Sequence, residues 1–270
     1  MENLNTYSKK ERNMFLTGMF GQNMIYNVVT VGLYYYFQNV ICLPAIAFGW
    51  IFAIARIWDA INDPMMGSIV DKTRTKWGKC RPYLIFSPIV ICVITIAAFF
   101  NGNYANAKAN GNKTAMIFIV AWAAISYVLW GMSYTVGDIP LWGIISRITE
   151  SEKDRSSLIS LSRIIASIGA GLVVISIVAV SQSLNSAFGL DTNAQKGFIV
   201  AAIIITIIGS ALFECAGTGT KERVPNGSET KTMKESFALM WKCKPFRRIL
   251  IRGLLRAPLQ LMMNIAMTLL

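Results

Sequence analysis

Seven apolar blocks, each about as long as a bilayer is thick, leave this chain few folds to choose from. They run near 13–37, 45–70, 82–100, 114–145, 157–181, 196–216 and 251–270, with polar or charged connections between them. A helix of about 20 apolar residues crosses ~30 Å of hydrocarbon, so the pattern predicts a polytopic all-α membrane protein. Composition agrees. The chain is 54% hydrophobic and 15% charged, against roughly 45–50% and about 25% for a soluble domain, and its mean hydropathy is +0.49. A soluble globule and a disordered chain are both excluded.

The net charge of +12 sorts by topology. Lys9, Lys10 and Arg12 precede the first block. Lys72, Arg74, Lys76, Lys79 and Arg81 fill the second connection, and Arg147, Lys153 and Arg155 the fourth. The sixth carries Lys221, Arg223, Lys231, Lys234, Lys242, Lys244, Arg247, Arg248 and Arg252. Alternating spans put all of these on one side and only Lys108, Lys113 and Lys196 on the other. The positive-inside rule makes the rich side cytoplasmic, so a plasma (inner) membrane protein with a cytoplasmic N-terminus is expected. Nucleic acid is not an expected partner. The division expected is a six-helix bundle over 1–216, a cytoplasmic connector over 217–250 around Pro225-Asn226-Gly227-Ser228, and a partial seventh helix over 251–270 that stops inside an apolar run at Thr268-Leu269-Leu270.

No histidine is present, and the five cysteines are scattered without a C-x-x-C spacing, so a histidine metal site, a histidine proton relay and a disulfide framework are all disfavoured. No nucleophile–base pair or phosphate loop appears, and neither catalysis nor a bound cofactor is expected.

Charge inside the apolar blocks is the functional signal, because a central carboxylate costs about 2.5–3.5 kcal/mol on insertion scales. Asp59 and Asp63 are four residues apart and share a helix face, with Arg56 and Asn62 alongside. Two such carboxylates repel. Ionised, they form a hard-oxygen site for a small cation; empty, they favour proton uptake. Pro64 and Pro140 each free a backbone carbonyl nearby, at Ala60 and Val136. A structural Arg56–Asp59 pair is the alternative. In the fourth block Trp130, Tyr134, Asp138 and Trp142 recur at intervals of four. Aromatic faces beside one carboxylate suit a sugar, whose apolar ring faces stack and whose hydroxyls donate; ordinary membrane packing produces such stripes too. Asn23, Tyr26, Asn27 and Thr30 form a polar stripe in the first block, and Arg163 can pair with Asp138 or simply snorkel.

The run Arg56-Ile-Trp-Asp-Ala-Ile-Asn-Asp-Pro64, continuing through Gly67 and Asp71 to Thr73-Arg-Thr-Lys-Trp-Gly78 and Arg81-Pro82, closely resembles the signature of the glycoside–pentoside–hexuronide cation symporters. Tyr134-Thr-Val-Gly-Asp-Ile-Pro-Leu-Trp142 resembles their fourth-helix motif. The resemblance implies the N-terminal six-helix bundle of a major-facilitator fold plus the start of a seventh helix, truncated relative to twelve helices. It implies a cation site for Na⁺ or H⁺, or Li⁺, at Asp59, Asn62, Asp63 and Thr135. Beside it would lie a sugar site at Asn23, Tyr134, Asp138, Trp142 and Arg163, and a gating motif at Gly67, Asp71, Arg74, Trp77, Gly78 and Arg81. In that motif Asp71 is expected to pair with neighbouring arginines or a helix end. The partners implied are a small sugar or glycoside, the bilayer and the missing C-terminal bundle. Two positions depart from the pattern: Asn23 stands where galactoside-transporting members carry an aspartate, and Asn39 ends the tyrosine-rich run where an aspartate is common.

The function expected is therefore secondary active sugar transport, with the chain as an N-terminal fragment unable to complete alternating access alone. A carrier of lysolipids or other amphiphiles on the same fold and a non-transporting half are the alternatives. A seven-helix photoreceptor fits the block count, but the seventh block offers Arg256 and no lysine for a Schiff base.

Overall fold

Ser8 starts the first helix. Its hydroxyl accepts the Glu11 N–H at 3.2 Å while its own N–H donates to the Glu11 carboxylate at 2.9 Å, a reciprocal cap that satisfies two donors the helix leaves open. A computed structural model of the chain describes residues 6–188, 195–224, 241–245, 247–248 and 251–252. The chain divides into two compact units, Met1–Pro225 and Asn226–Leu270. In the second, residues 241–242, 244–245, 247–248 and 251–252 are helical. Most of the expected seventh helix, Arg256 included, and much of the expected connector lie outside the described residues.

The first unit runs α1 (Lys9–Asn27), α2 (Ala45–Lys72), α3 (Arg81–Phe99), a short α4 (Tyr104–Ala109), α5 (Lys113–Gly143), a single turn α6 (Ile145–Ile148), α7 (Glu152–Phe188) and α8 (Gln195–Gly219). Past Asn27, α1 continues through two wider π stretches, Val28–Leu33 and Tyr36–Val40. No strand occurs among the described residues, only one isolated bridge in the turn from Thr75 to Gly78.

Five of these segments are long and apolar enough to cross a membrane, beginning at Ala45, Arg81, Lys113, Glu152 and Gln195. The first block, expected as a sixth such span, is not among them. Its α-helical part begins with Lys9, Lys10, Glu11 and Arg12 and ends at Asn27, which leaves too short an uncharged run, and packing explains why Gln22, Asn23 and Asn27 are tolerated within it: α1 lies against both α7 and α8, so it has little face to give to lipid. Glycines permit that close approach. A Cβ on Gly21 would stand 2.6 Å from the Phe213 nitrogen and 2.7 Å from the Leu212 Cβ on α8; one on Gly169 of α7 would stand 2.7 Å from the Phe20 carbonyl oxygen. Without a hydrophobic drive between helices in lipid, such contact is what holds them.

α2 is packed differently. It touches α5 and the second π stretch, and it buries only a narrow stripe: Phe48, Ile51, Ala55, Asn62, Met66 and Val70. Its outer face shows Ile46, Trp50, Ile54, Ile57 and Ile61, a continuous apolar surface that suits acyl chains rather than water. α5 is the hub, with α2 on one side and α3 on the other. Apolar cores form toward both ends: Tyr36, Phe99 and Phe198 in one, and Phe15, Leu84, Ile144 and Phe213 in the other. The antiparallel order brings Tyr7, Glu11, Lys79, Arg147, Asp154 and Arg223 to one end. Asn103 and Gln195 tie the opposite end, where Gln195 donates to the Tyr36 hydroxyl at 3.1 Å and to the Asn101 carbonyl at 2.9 Å.

Candidate functional site

One wall of α5, one of α2 and one of α1 enclose a cavity of about 280 Å³. Tyr26 and Thr30 line it from α1 and its π extension, Arg56, Asp59 and Asp63 from α2, and Tyr127, Trp130, Tyr134, Thr135 and Asp138 from α5. Helical spacing does most of the work. Residues 26 and 30 are one turn apart, as are 127, 131, 134 and 138, so each set faces the same way. The π stretch on α1 carries Thr30, whose hydroxyl donates to the Tyr26 carbonyl at 2.9 Å; π turns are common at functional sites.

The carboxylate pair lies on the exposed side of α2, where Arg56 reaches Asp59 at 3.5 Å. That is the structural pair weighed as an alternative, yet all three of Arg56, Asp59 and Asp63 still line the cavity. Asp63 accepts the Thr135 hydroxyl at 3.1 Å. Gly131 leaves the room Asp59 needs, since a Cβ there would stand 3.2 Å from its Oδ1. Asn62 is placed elsewhere. It sits on the stripe that α2 packs against its neighbours, 5% exposed, with Nδ2 lacking a partner among the described residues. Three carboxylates, five hydroxyls and one guanidinium thus line the space, although among the described residues no three acidic groups are gathered closely enough to hold a metal ion by themselves. Hard oxygen donors of this kind suit a small cation of low charge.

Asp138 is held by neutral donors. Gln22, 2% exposed, donates through Nε2 to Asp138 Oδ1 at 2.7 Å and also to the Tyr134 hydroxyl. Its Oε1 accepts from Asn23 Nδ2 at 2.6 Å. Asn23 therefore reaches the site through Gln22, and it spends a second bond on the Met19 carbonyl. Gln22 was not anticipated from the sequence. The sequence stripe is 23, 26, 27 and 30, whereas residues 22, 26 and 30 keep the four-residue step: Tyr26 and Thr30 line the cavity and Gln22 supports Asp138 from behind it; Asn27 turns back to the Asn23 carbonyl at 2.8 Å.

The aromatic stripe is present as a ladder. Trp130 stacks on Tyr134 with centroids 5.0 Å apart, and on Tyr127 at 6.1 Å, while Tyr26 approaches Tyr134 at 5.2 Å. Tyr26 and Tyr127 extend the stripe beyond the residues expected. Trp142 does not line the cavity, as a four-residue step drifts on a 3.6-residue helix, yet its side chain still hydrogen-bonds the Asp138 carboxylate. The Arg163 guanidinium lies 5.6 Å from its ring centroid, a cation–π distance, and so it is spent on Trp142 rather than on Asp138.

The expected gating residues lie at the basic end. Thr75 and Gly78 close a turn, with the Gly78 N–H donating to the Thr75 carbonyl at 3.2 Å and Gly78 at φ +112°. Trp77 is exposed and stacks on Phe86 at 6.4 Å. Arg74 and Asp71 are exposed, and nothing within 4 Å would meet a Cβ on Gly67. Asp71 caps no helix here. The start of α3 is capped by Glu222, and Arg81 Nε donates to the Gly217 carbonyl at 3.3 Å.

Comparison with known proteins adds lineage to this geometry. Residues 14–270 match the family model described as MFS/sugar transport protein. The chain is 28% identical over 239 residues to the isoprimeverose transporter of Lactiplantibacillus pentosus, covering 88% of this chain and 46% of that one. It is 28% identical over 240 residues to the inner membrane symporter YicJ of Escherichia coli (strain K12), covering 89% and 49%, and 30% identical over 190 residues to the lactose permease of Leuconostoc lactis, covering 68% and 29%. The chain thus spans half the length, or less, of these curated relatives.

Proposed function

Since this chain belongs to the MFS sugar transport proteins, in their glycoside–pentoside–hexuronide symporter branch, we propose that it supplies the N-terminal half of a cation-coupled sugar transporter. Relatives carry the names symporter, permease and transporter; this is not an enzyme. In the proposed arrangement Asp59, Asp63 and Thr135 hold Na⁺, H⁺ or Li⁺, with Asn62 completing the shell if α2 rotates it inward. Tyr134, Asp138, Trp142 and Arg163 meet a sugar or glycoside, and Asn23 sets Gln22 against Asp138. A second helical bundle closes the cavity from the open side of α2. The residues at the basic end, Gly67, Asp71, Arg74, Trp77, Gly78 and Arg81, serve the gate at the cytoplasmic face of the plasma (inner) membrane, where the N-terminus also lies.

The observation that carries this reading is a sequence adjacency turned into a spatial one. Tyr134 and Thr135 are consecutive on α5, yet the first contacts the carboxylate expected to hold sugar and the second the carboxylate expected to hold the cation. A shift of one helical turn to suit a cation therefore moves the sugar ligands too. Such coupling is reciprocal: whatever factor the cation contributes to sugar affinity, the sugar returns to cation affinity. The test is glycoside binding with and without Na⁺ by the complete transporter carrying Asp59→Cys or Asp63→Asn. Loss of Na⁺ dependence with residual sugar binding is expected, and undiminished Na⁺ dependence in both variants would remove the pair from the coupling role.

A further inference from the structure

The basic end of the first unit is closed by the five residues that follow α8, Thr220–Val224. Glu222 places its carboxylate on three successive backbone N–H groups at the start of α3: Oε2 accepts from Lys79 at 3.0 Å, and Oε1 accepts from Cys80 at 2.7 Å and from Arg81 at 3.1 Å. These are donors a helix start leaves unsatisfied, and a carboxylate there is favoured by both hydrogen bonding and the helix dipole. The next residue turns to two other helices. Arg223 grips both carboxylate oxygens of Glu11 at 2.9 and 2.7 Å, and the N–H groups of Arg223 and Val224 donate to the Arg147 carbonyl at 2.8 and 3.1 Å. At the top of the strap, Thr220 donates back to the Ala216 carbonyl at 2.6 Å and is fully buried.

We propose that Thr220–Val224 is a strap that fastens the ends of α1, α3, α6 and α8 into one body, with Glu222 as the positioning residue that sets the Thr73–Arg81 loop. Gly78 fits this assignment. Its φ of +112° is open to glycine, and the space a Cβ would need is taken by the Glu222 carboxylate. α2 stays outside the strap. Its end is joined to the fastened end by the loop, by the 2.7 Å pair between the Thr73 and Tyr83 hydroxyls, and by Met66 and Val70, which pack into the apolar core that holds Cys80, Leu84 and Ile148. The division is mechanical: four helix ends are tied by hydrogen bonds to one segment, whereas the helix bearing Asp59 and Asp63 is held to them mainly by apolar side-chain packing. It holds whatever solute the cavity takes.

Cys80 is a built-in reporter. It is 3% exposed, and burial, then the Glu222 charge, push its thiol up to about 12, so a thiol reagent reaches it only when the strap opens. The experiment uses the 270-residue chain in detergent with Cys92, Cys215 and Cys243 changed to serine, and N-ethylmaleimide as the probe. Exposed Cys42 serves as the internal reference. Wild type should label at Cys42 and resist at Cys80. Glu222→Ala should speed Cys80 labelling by about tenfold or more, the worth of a single charge-assisted hydrogen bond, and Glu222→Gln, which keeps one acceptor oxygen, should recover most of the protection. Hydrogen exchange on the unmutated chain reads the same strap without a variant: the Lys79, Cys80 and Arg81 amides should be protected while that of Lys76 is not. Rapid Cys80 labelling in wild type, unchanged labelling in Glu222→Ala, or unprotected amides at 79–81 would each overturn the proposal.

Discussion

Two glycine-to-alanine changes, identical as chemistry, should move stability in opposite directions. At Gly21 the new methyl would lie 2.6 Å from the Phe213 nitrogen and 2.7 Å from the Leu212 Cβ, against an ordinary contact of 3.4 Å or more. The shortfall is about 0.8 Å, and the obstructing atoms are helix backbone and a Cβ rather than flexible tips, so α1 and α8 must draw apart. A gap of 0.5–1 Å forfeits roughly a quarter to a half of each contact's attraction, and overpacking of this kind costs about 1–3 kcal/mol. Alanine recovers ~1 kcal/mol of helix propensity, leaving a net loss of up to about 2 kcal/mol. At Gly171 on α7 nothing lies within 4 Å of the methyl, so only the propensity gain of about 0.5–1 kcal/mol remains. At about 2–4 °C per kcal/mol for a chain of this size, the two variants should straddle wild type and differ by up to about 12 °C. Thermal unfolding of the purified chain in detergent, followed by tryptophan fluorescence, reads this directly. Shifts of the same sign would mean that the close approach of α1 to α8 does not exist.

Two further outcomes follow from the hydrogen bonds. Gln22→Leu removes a donor from a charged, enclosed acceptor, a loss of about 1.5–3 kcal/mol, so the complete transporter should bind glycoside about 10- to 150-fold more weakly; unchanged affinity by equilibrium dialysis would show that Asp138 does not need the amide. Burial tends to raise the Glu11 carboxyl, but the Arg223 hydrogen bonds, the Ser8 N–H and the Arg223 charge outweigh it and hold the group below its ordinary 4.5. A depressed folded value means that the stabilisation is complete above pH 4.5 and is lost as pH falls through the lower folded value. Glu11→Gln should therefore lower Tm at neutral pH, by the equivalent of about 1–2 kcal/mol, and flatten its decline on acidification; parallel pH curves for variant and wild type would refute the pairing.

Much of the site was legible because helix period converts sequence spacing into a shared face without help from the rest of the fold. Asp59 and Asp63 emerge together on the cavity, as do Trp130, Tyr134 and Asp138. The period also explains where the structure places residues differently. A step of four overshoots 3.6, so Trp142 leaves the face that Trp130 began. Asn23 and Gln22 differ by one position, or 100° around α1, and which of them meets Asp138 depends on how α1 is rolled against α5. Nothing local settles that roll. Asn62 adjoins Asp63 in sequence but packs into the stripe between helices, because α2 spends its narrow buried face on its neighbours.

By itself the sequence determined the medium: apolar lengths fix how many residues can cross hydrocarbon, since that follows from solvation energies that each segment feels alone. The long motifs fixed lineage in the same way. Tertiary structure decided which polar groups satisfy one another. Glu222 lies more than 140 residues from the amides it caps, and Gln22 lies 116 from the carboxylate it holds. Those bonds join the end of α8 to the start of α3 and α1 to α5, a condition set by packing between helices and invisible along any one of them.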